Sequence, residues 1–111
     1  MRKKLNELNF EFKVQNPKDF PAEFLHYGVV GSGDMEIIME KKPLGGAVKV
    51  KVLTPVIGFE EVWRRVLNRF VNDTGIANAS IEINDCNATP VVGSLRLRQA
   101  LSELKEVGNV Q

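Results

Sequence analysis

The chain has one cysteine, Cys86, and one histidine, His26. A lone cysteine cannot close an internal disulfide and has no cysteine partner for a metal site, so Cys86 reads as a small half-buried hydrophobe. A lone histidine leaves little material for nucleophilic catalysis, which needs a nucleophile, a base within hydrogen-bond reach and a group to orient that base. His26 lies among apolar neighbours in an expected strand and reads as a strand histidine rather than a catalytic base. An excess of either charge is missing too: 15 Lys and Arg stand against 14 Asp and Glu, a net charge of +1. No broad basic field exists to grip a nucleic-acid backbone. No run approaches the ~20 apolar residues of a membrane span, and no apolar stretch of signal-peptide length follows the basic start Met1-Arg2-Lys3-Lys4. The expectation is a cytoplasmic protein with neither nucleic acid nor membrane as partner. Apart from "VVGS", present at 29–32 and again at 91–94, there is no internal repeat.

The 111 residues, 43% of them apolar, suffice for one domain over 1–111 with a single core. "LNFEFKV" (8–14) alternates Leu8, Phe10, Phe12 and Val14 against polar residues, the period of a half-buried strand. "QNPKDFPAE" reads as a loop, "FLHYGVVG" as a second strand and "DMEIIME" as a third. "KKPLGG" then turns the chain into "AVKVKVL" (47–53). The acids of the third strand could face Lys49 and Lys51, which predicts an antiparallel hairpin between the two. "GFEEVWRRVLNRFVNDTG" places Phe59, Val62, Trp63, Val66, Leu67, Phe70 and Val71 on one helical face, with Glu60 and Glu61 in the first turn and Gly75 at the end. "ASIEIND" is a last strand, and Thr89-Pro90 caps and opens a second helix carrying Val91, Leu95, Leu101 and Leu104. The order of elements predicts an α+β fold, a mostly antiparallel four- to five-stranded sheet covered on one face by two helices.

No complete active site is legible. "GSGD" lacks the G-x-S-x-G spacing of a nucleophile elbow and does not match the phosphate loop G-x-x-x-x-G-K-[ST]. Glu60 and Glu61 are adjacent on a helix and point apart, so they form no acid–base dyad. What stands out is Ser32 between Gly31 and Gly33, a hydroxyl with little steric cover, followed by Asp34. Such a serine suits attachment of a prosthetic group by another enzyme, and it equally suits an ordinary tight turn between strands; Asp34 could position the hydroxyl, join a modifying enzyme's metal site or bond turn amides. Ser94 reads as a helix-surface residue. Arg96 and Arg98 are candidates for phosphate or partner contacts, or plain surface arginines.

"VVGSGDMEIIME", "SIEINDCNATP" and "LRLRQAL", in that order and spacing, resemble the acyl carrier, or delta, subunits of biotin-independent malonate decarboxylase over about residues 8–105. The resemblance implies that Ser32 carries covalently bound 2'-(5''-phosphoribosyl)-3'-dephospho-coenzyme A, with Gly31, Gly33 and Asp34 as its supporting turn. It also implies a non-catalytic chain with three kinds of partner: a holo-carrier synthase, an acyl transferase that exchanges acetyl for malonyl (a malonyl transferase), and decarboxylase subunits. The citrate lyase acyl carrier is the rival within this class. A protein-interaction module docking through Trp63, Phe59 or a sheet edge, and a small ligand sensor using the two arginines, are the alternatives outside it.

Overall fold

Alternating apolar and polar residues build the sheet, and a computed structural model describes residues 5–20, 22–28 and 34–110. The elements are β1 (Asn6–Lys13), β2 (Lys18–Asp19), β3 (Phe24–Gly28), β4 (Asp34–Lys41), β5 (Ala47–Thr54), α1 (Glu60–Thr74), β6 (Ile76–Ala77), β7 (Ala79–Cys86) and α2 (Pro90–Val110). Among the described residues, five strands form one sheet in the order β1-β5-β7-β4-β3, and β2 pairs with β6 in a second, two-stranded parallel sheet. The expected α+β class holds. Residues 29–31, the end of the expected second strand, lie outside the described residues.

The expected hairpin between β4 and β5 does not form, because β7 lies between them. β4 pairs antiparallel with β7, and β5 pairs parallel with β7 after a crossover through α1. Lys51 therefore faces Glu82 at 3.8 Å, and Lys49 stands opposite Glu11 of β1. Acids on β1 and β7 satisfy the same alternating pattern that the acids of β4 could have satisfied. The β4–β5 connection instead crosses the start of β7, where Asn78 holds it. The Asn78 Oδ1 accepts the N–H of Leu44 (3.2 Å) and of Gly46 (2.9 Å), and its carbonyl accepts the Lys42 N–H at 2.9 Å.

One sheet face meets both helices. Met35, Ile37 and Met39 of β4, Val48, Val50 and Val52 of β5, and Ile81 and Ile83 of β7 share a core with Trp63, Leu67, Phe70 and Val71 of α1 and Leu97, Ala100 and Leu101 of α2. Trp63 is buried, which removes it from any docking surface. Gly75 ends α1 in the left-handed region (φ 69°) and donates its N–H to the Val71 carbonyl at 2.8 Å, as glycine without a Cβ permits. Thr89 caps α2 through its hydroxyl, which accepts the Val92 N–H at 3.4 Å. No helix among the described residues is long and apolar enough to cross a membrane.

Both helices leave the sheet from the same end, and a buried carboxylate fixes the two departures. Asp85 accepts the Thr54 hydroxyl at 2.7 Å and the Ala88 N–H at 2.8 Å. The Thr54 hydroxyl oxygen in turn accepts the Val56 N–H at 3.1 Å. Hydrogen bonds to a charged group contribute about 1.5–3 kcal/mol each, so Asp85→Ala is expected to lower unfolding free energy by about 3 kcal/mol or more, measured by urea denaturation. Gly93 of α2 packs against the Trp63 ring, and an added Cβ would stand 2.7 Å from Cη2 and Cζ3. Helix propensity would favour Gly93→Ala by up to about 1 kcal/mol, while overpacking against a ring that cannot move costs about 1–3 kcal/mol. Net destabilisation with a shifted emission of the sole tryptophan is the expected result; an unchanged spectrum and midpoint would contradict the packing.

Candidate functional site

The strand registers gather the candidate residues at the end of the sheet where β5 and β7 finish. Asp34, the first residue of β4, stands opposite Cys86, the last of β7, and Gly28, the last of β3, stands opposite Glu36. Gly28 has φ 88°, and a Cβ there would collide with the Met35 carbonyl oxygen. Only glycine closes β3 in this way. Gly31, Ser32 and Gly33 lie outside the described residues; Ser32 precedes Asp34 by two positions.

Asp34 is held from two sides. Its Oδ1 accepts the Met35 N–H at 2.8 Å and the Arg96 Nε–H at 3.0 Å, and among the described residues nothing bonds Oδ2. The Met35 N–H first, and then the Arg96 guanidinium, hold this carboxyl below the ordinary aspartate value of 3.8. Asp34 is therefore an ionised acceptor at neutral pH with Oδ2 unbonded by the described residues. Arg96 also donates from Nη1 to the Gln99 Oε1 at 2.9 Å, one helical turn away on α2, which fixes the guanidinium plane.

The two candidate arginines part company. Residues two apart on a helix point about 200° away from each other. Arg98 turns to α1, donating to Asp73 at 3.0 Å and lying over the Phe70 ring at 5.9 Å. Ser94 sits beside it, 3.5 Å from the Arg98 Nε. On the sheet face away from the helices, the Glu36 carboxylate meets His26 Nε2 at 2.6 Å and accepts the Asn84 amide at 2.9 Å. The His26 contact first, and the Asn84 bond next, hold Glu36 below its ordinary value of 4.5. His26 is thus an exposed strand residue paired to an acid. Among the described residues no cluster of His, Cys, Asp and Glu could hold a metal. Gly28, Gln99 and Asp85 are the structural contributors that the residue-level reading passed over; the (i, i+3) spacing of Arg96 and Gln99 was the available signal for one of them.

The fold that holds Asp34 and Arg96 together also occurs in a subunit of a multi-chain enzyme. The crystal structure of a Pseudomonas malonate decarboxylase hetero-tetramer in complex with malonate contains a chain that matches with a TM-score of 0.73 and 32% identity. The match covers 89% of this chain and 98% of that one. A family model described as malonate decarboxylase delta subunit matches residues 23–104. The malonate decarboxylase acyl carrier protein of Malonomonas rubra is 56% identical over 101 residues, covering 91% of this chain and 90% of the relative. That of Xanthomonas campestris pv. campestris (strain B100) is 38% identical, covering 91% and 96%. The chain belongs to the malonate decarboxylase delta subunit family.

The depressed Asp34 and Glu36 carboxyls make stability pH-dependent in a fixed sense. Each group's contribution is fully present above its ordinary value, 3.8 or 4.5, and is lost as pH falls through the lower folded-state value. Urea unfolding followed from neutral pH to about pH 2 is expected to show an acid-side fall that is shallower in Asp34→Asn and in Arg96→Gln. Slopes identical to the parent in both variants would mean the pair adds nothing to folding.

Proposed function

We propose that this chain is the acyl carrier subunit of a malonate decarboxylase, and that Ser32 is esterified through a phosphodiester to 2'-(5''-phosphoribosyl)-3'-dephospho-coenzyme A. Family membership along most of the chain supports the carrier role. The observation that carries the site is the anchored Asp34, two residues after Ser32, ionised and with no partner for Oδ2 among the described residues. That oxygen can accept a hydrogen bond from the serine hydroxyl or ligate a cation brought by the modifying synthase. Arg96 sets the direction of the carboxylate and supplies positive charge near the future phosphodiester. Arg98, committed to Asp73 and Phe70, is left with a partner-contact or structural role.

The group, when bound, supplies a thiol on which malonyl is held as a thioester, whose enolate accommodates the charge left by carbon dioxide better than free malonate does. This chain's own residues supply the tether and its base. Attachment makes delivery to successive partner sites intramolecular, at effective concentrations of order millimolar for short flexible links. The partners are the synthase that installs the group, the acyl transferase that exchanges acetyl for malonyl, and the decarboxylase subunits.

Intact-mass and peptide-mapping spectra of the protein, co-produced with the synthase of its own system, test the reading. A mass gain equal to the phosphoribosyl-dephospho-coenzyme A group is expected on the Ser32 peptide and absent in Ser32→Ala. Asp34→Ala and Arg96→Ala are expected to slow its appearance by about tenfold or more, as loss of a positioning interaction does. A chain that stays unmodified beside a synthase proven on another carrier would overturn the assignment.

A further inference from the structure

At the end of the sheet where Asp34 begins β4, a cleft of about 410 Å³ opens on the face away from the helices. Leu5, Leu53 and Pro55 give it carbon walls, and Asn84, Asp85, Cys86 and Asn87 line the remainder. The cleft is built into the fold, because the Asp85 carboxylate holds Thr54, the neighbour of Pro55, and Ala88, the neighbour of Asn87. Other clefts differ in place or chemistry. One lies mid-sheet between Glu11, Lys49 and Lys51, another at the far end beside Lys41 and Lys42, and a third between the helices under Arg69 and Arg98.

We propose that this cleft binds the adenine base of the carrier's own arm, an inference that rests on the carrier reading above. Three observations select that occupant. Among the described residues no lysine or arginine lines the cleft, and the Asp85 carboxylate there has each oxygen bonded within the fold, so the cleft suits a neutral unit of the arm and not its phosphates. With Asp85 taken by Thr54 and Ala88, the polar side chains it offers a ligand are carboxamides beside apolar walls, the combination that receives a flat heterocycle, since a carboxamide matches the N6 and N7 edge of adenine. The Asn84 amide N–H₂ is already given to Glu36 and Glu82, which leaves its Oδ1 as acceptor, and the Asn87 side chain makes no hydrogen bond to another described residue. Third is reach. Asp34 pairs directly with Cys86 of the cleft wall, and the two residues from Ser32 to Asp34 span at most about 7 Å. The base is nearer the attachment point than the thiol is, so it meets this cleft first. Holding the base shortens the free part of the arm and leaves the thioester end to reach a partner.

Adenine bound here covers Cys86. The experiment compares unmodified and arm-bearing full-length protein, the mass gain being verified first. Nuclear Overhauser contacts from adenine H2 or H8 to the Leu53 methyls are expected, with iodoacetamide alkylation of Cys86 slowed about fivefold, as for a site occupied some four-fifths of the time. Asn87→Gly keeps the left-handed backbone of that position (φ 65°) while removing the carboxamide. It should return Cys86 to the unmodified rate with the mass gain intact. Leu53→Asp, on the solvent-facing side of β5, should do the same. A verified mass gain with no contact to Leu53 and an unchanged Cys86 rate would overturn the cleft assignment and leave the carrier reading standing. Absence of the mass gain would overturn the carrier reading, and the cleft assignment with it.

Discussion

Asp85 stands one residue before the end of the central strand, and its carboxylate holds both chain segments that leave this end of the sheet for the helices. A buried carboxylate is costly unless its oxygens are bonded, and here one oxygen takes a hydroxyl and the other a backbone N–H. Because Thr54 relays the restraint to Val56, the connection to α1 and the start of α2 are set by one group. Placement of α2 then decides where Arg96 stands, and Arg96 decides where Asp34 points. The candidate site thus depends on a residue that touches none of its functional atoms.

Central β7 also explains how the sheet divides its labour. Its odd-numbered residues from Ala79 to Asp85 are buried under the helices, and its even-numbered ones, Ser80, Glu82, Asn84 and Cys86, face the other way. On that second face short polar contacts run from β3 to β5: His26 to Glu36, Glu36 to Asn84, Asn84 to Glu82, and Glu82 to Lys51. Each exposed pair contributes little by itself, about 0–1 kcal/mol. Their effect is to keep much of an uncovered sheet face hydrophilic, with carbon showing at Phe24 of β3 and near Leu5, Leu53 and Pro55.

Most elements were legible in the sequence, and their order in the sheet was not. Strict alternation identified β1, β4, β5 and β7, helical spacing identified α1, and Gly75, Thr89 and Pro90 marked helix ends through conformations that few other residues adopt or stabilise so well. The failure came at β4 and β5, where lysines facing acids looked like a hairpin. Charge alternation records only that a partner of opposite sign exists, and Glu11 and Glu82 filled that place. The short β2 and β6 pair escaped notice because two residues are too few to show a period. For the candidate site, "GSGD" drew attention to a segment of which the structure describes Asp34, held by Arg96. Its link to Arg96 spans 62 residues and follows from how α2 packs, which no local pattern encodes.

The strand directions give the molecule two unlike poles. At one, Asp34, Cys86, Thr54 and the beginnings of both helices crowd together; at the other, the turn at 42–46 wraps the start of β7. The eight residues of β5 separate them by about 26 Å. A reporter dye or a surface tether grafted at the exposed Lys42 would therefore stand a full strand length from whatever is done at Asp34, and the chain could be immobilised or watched without obstructing that end.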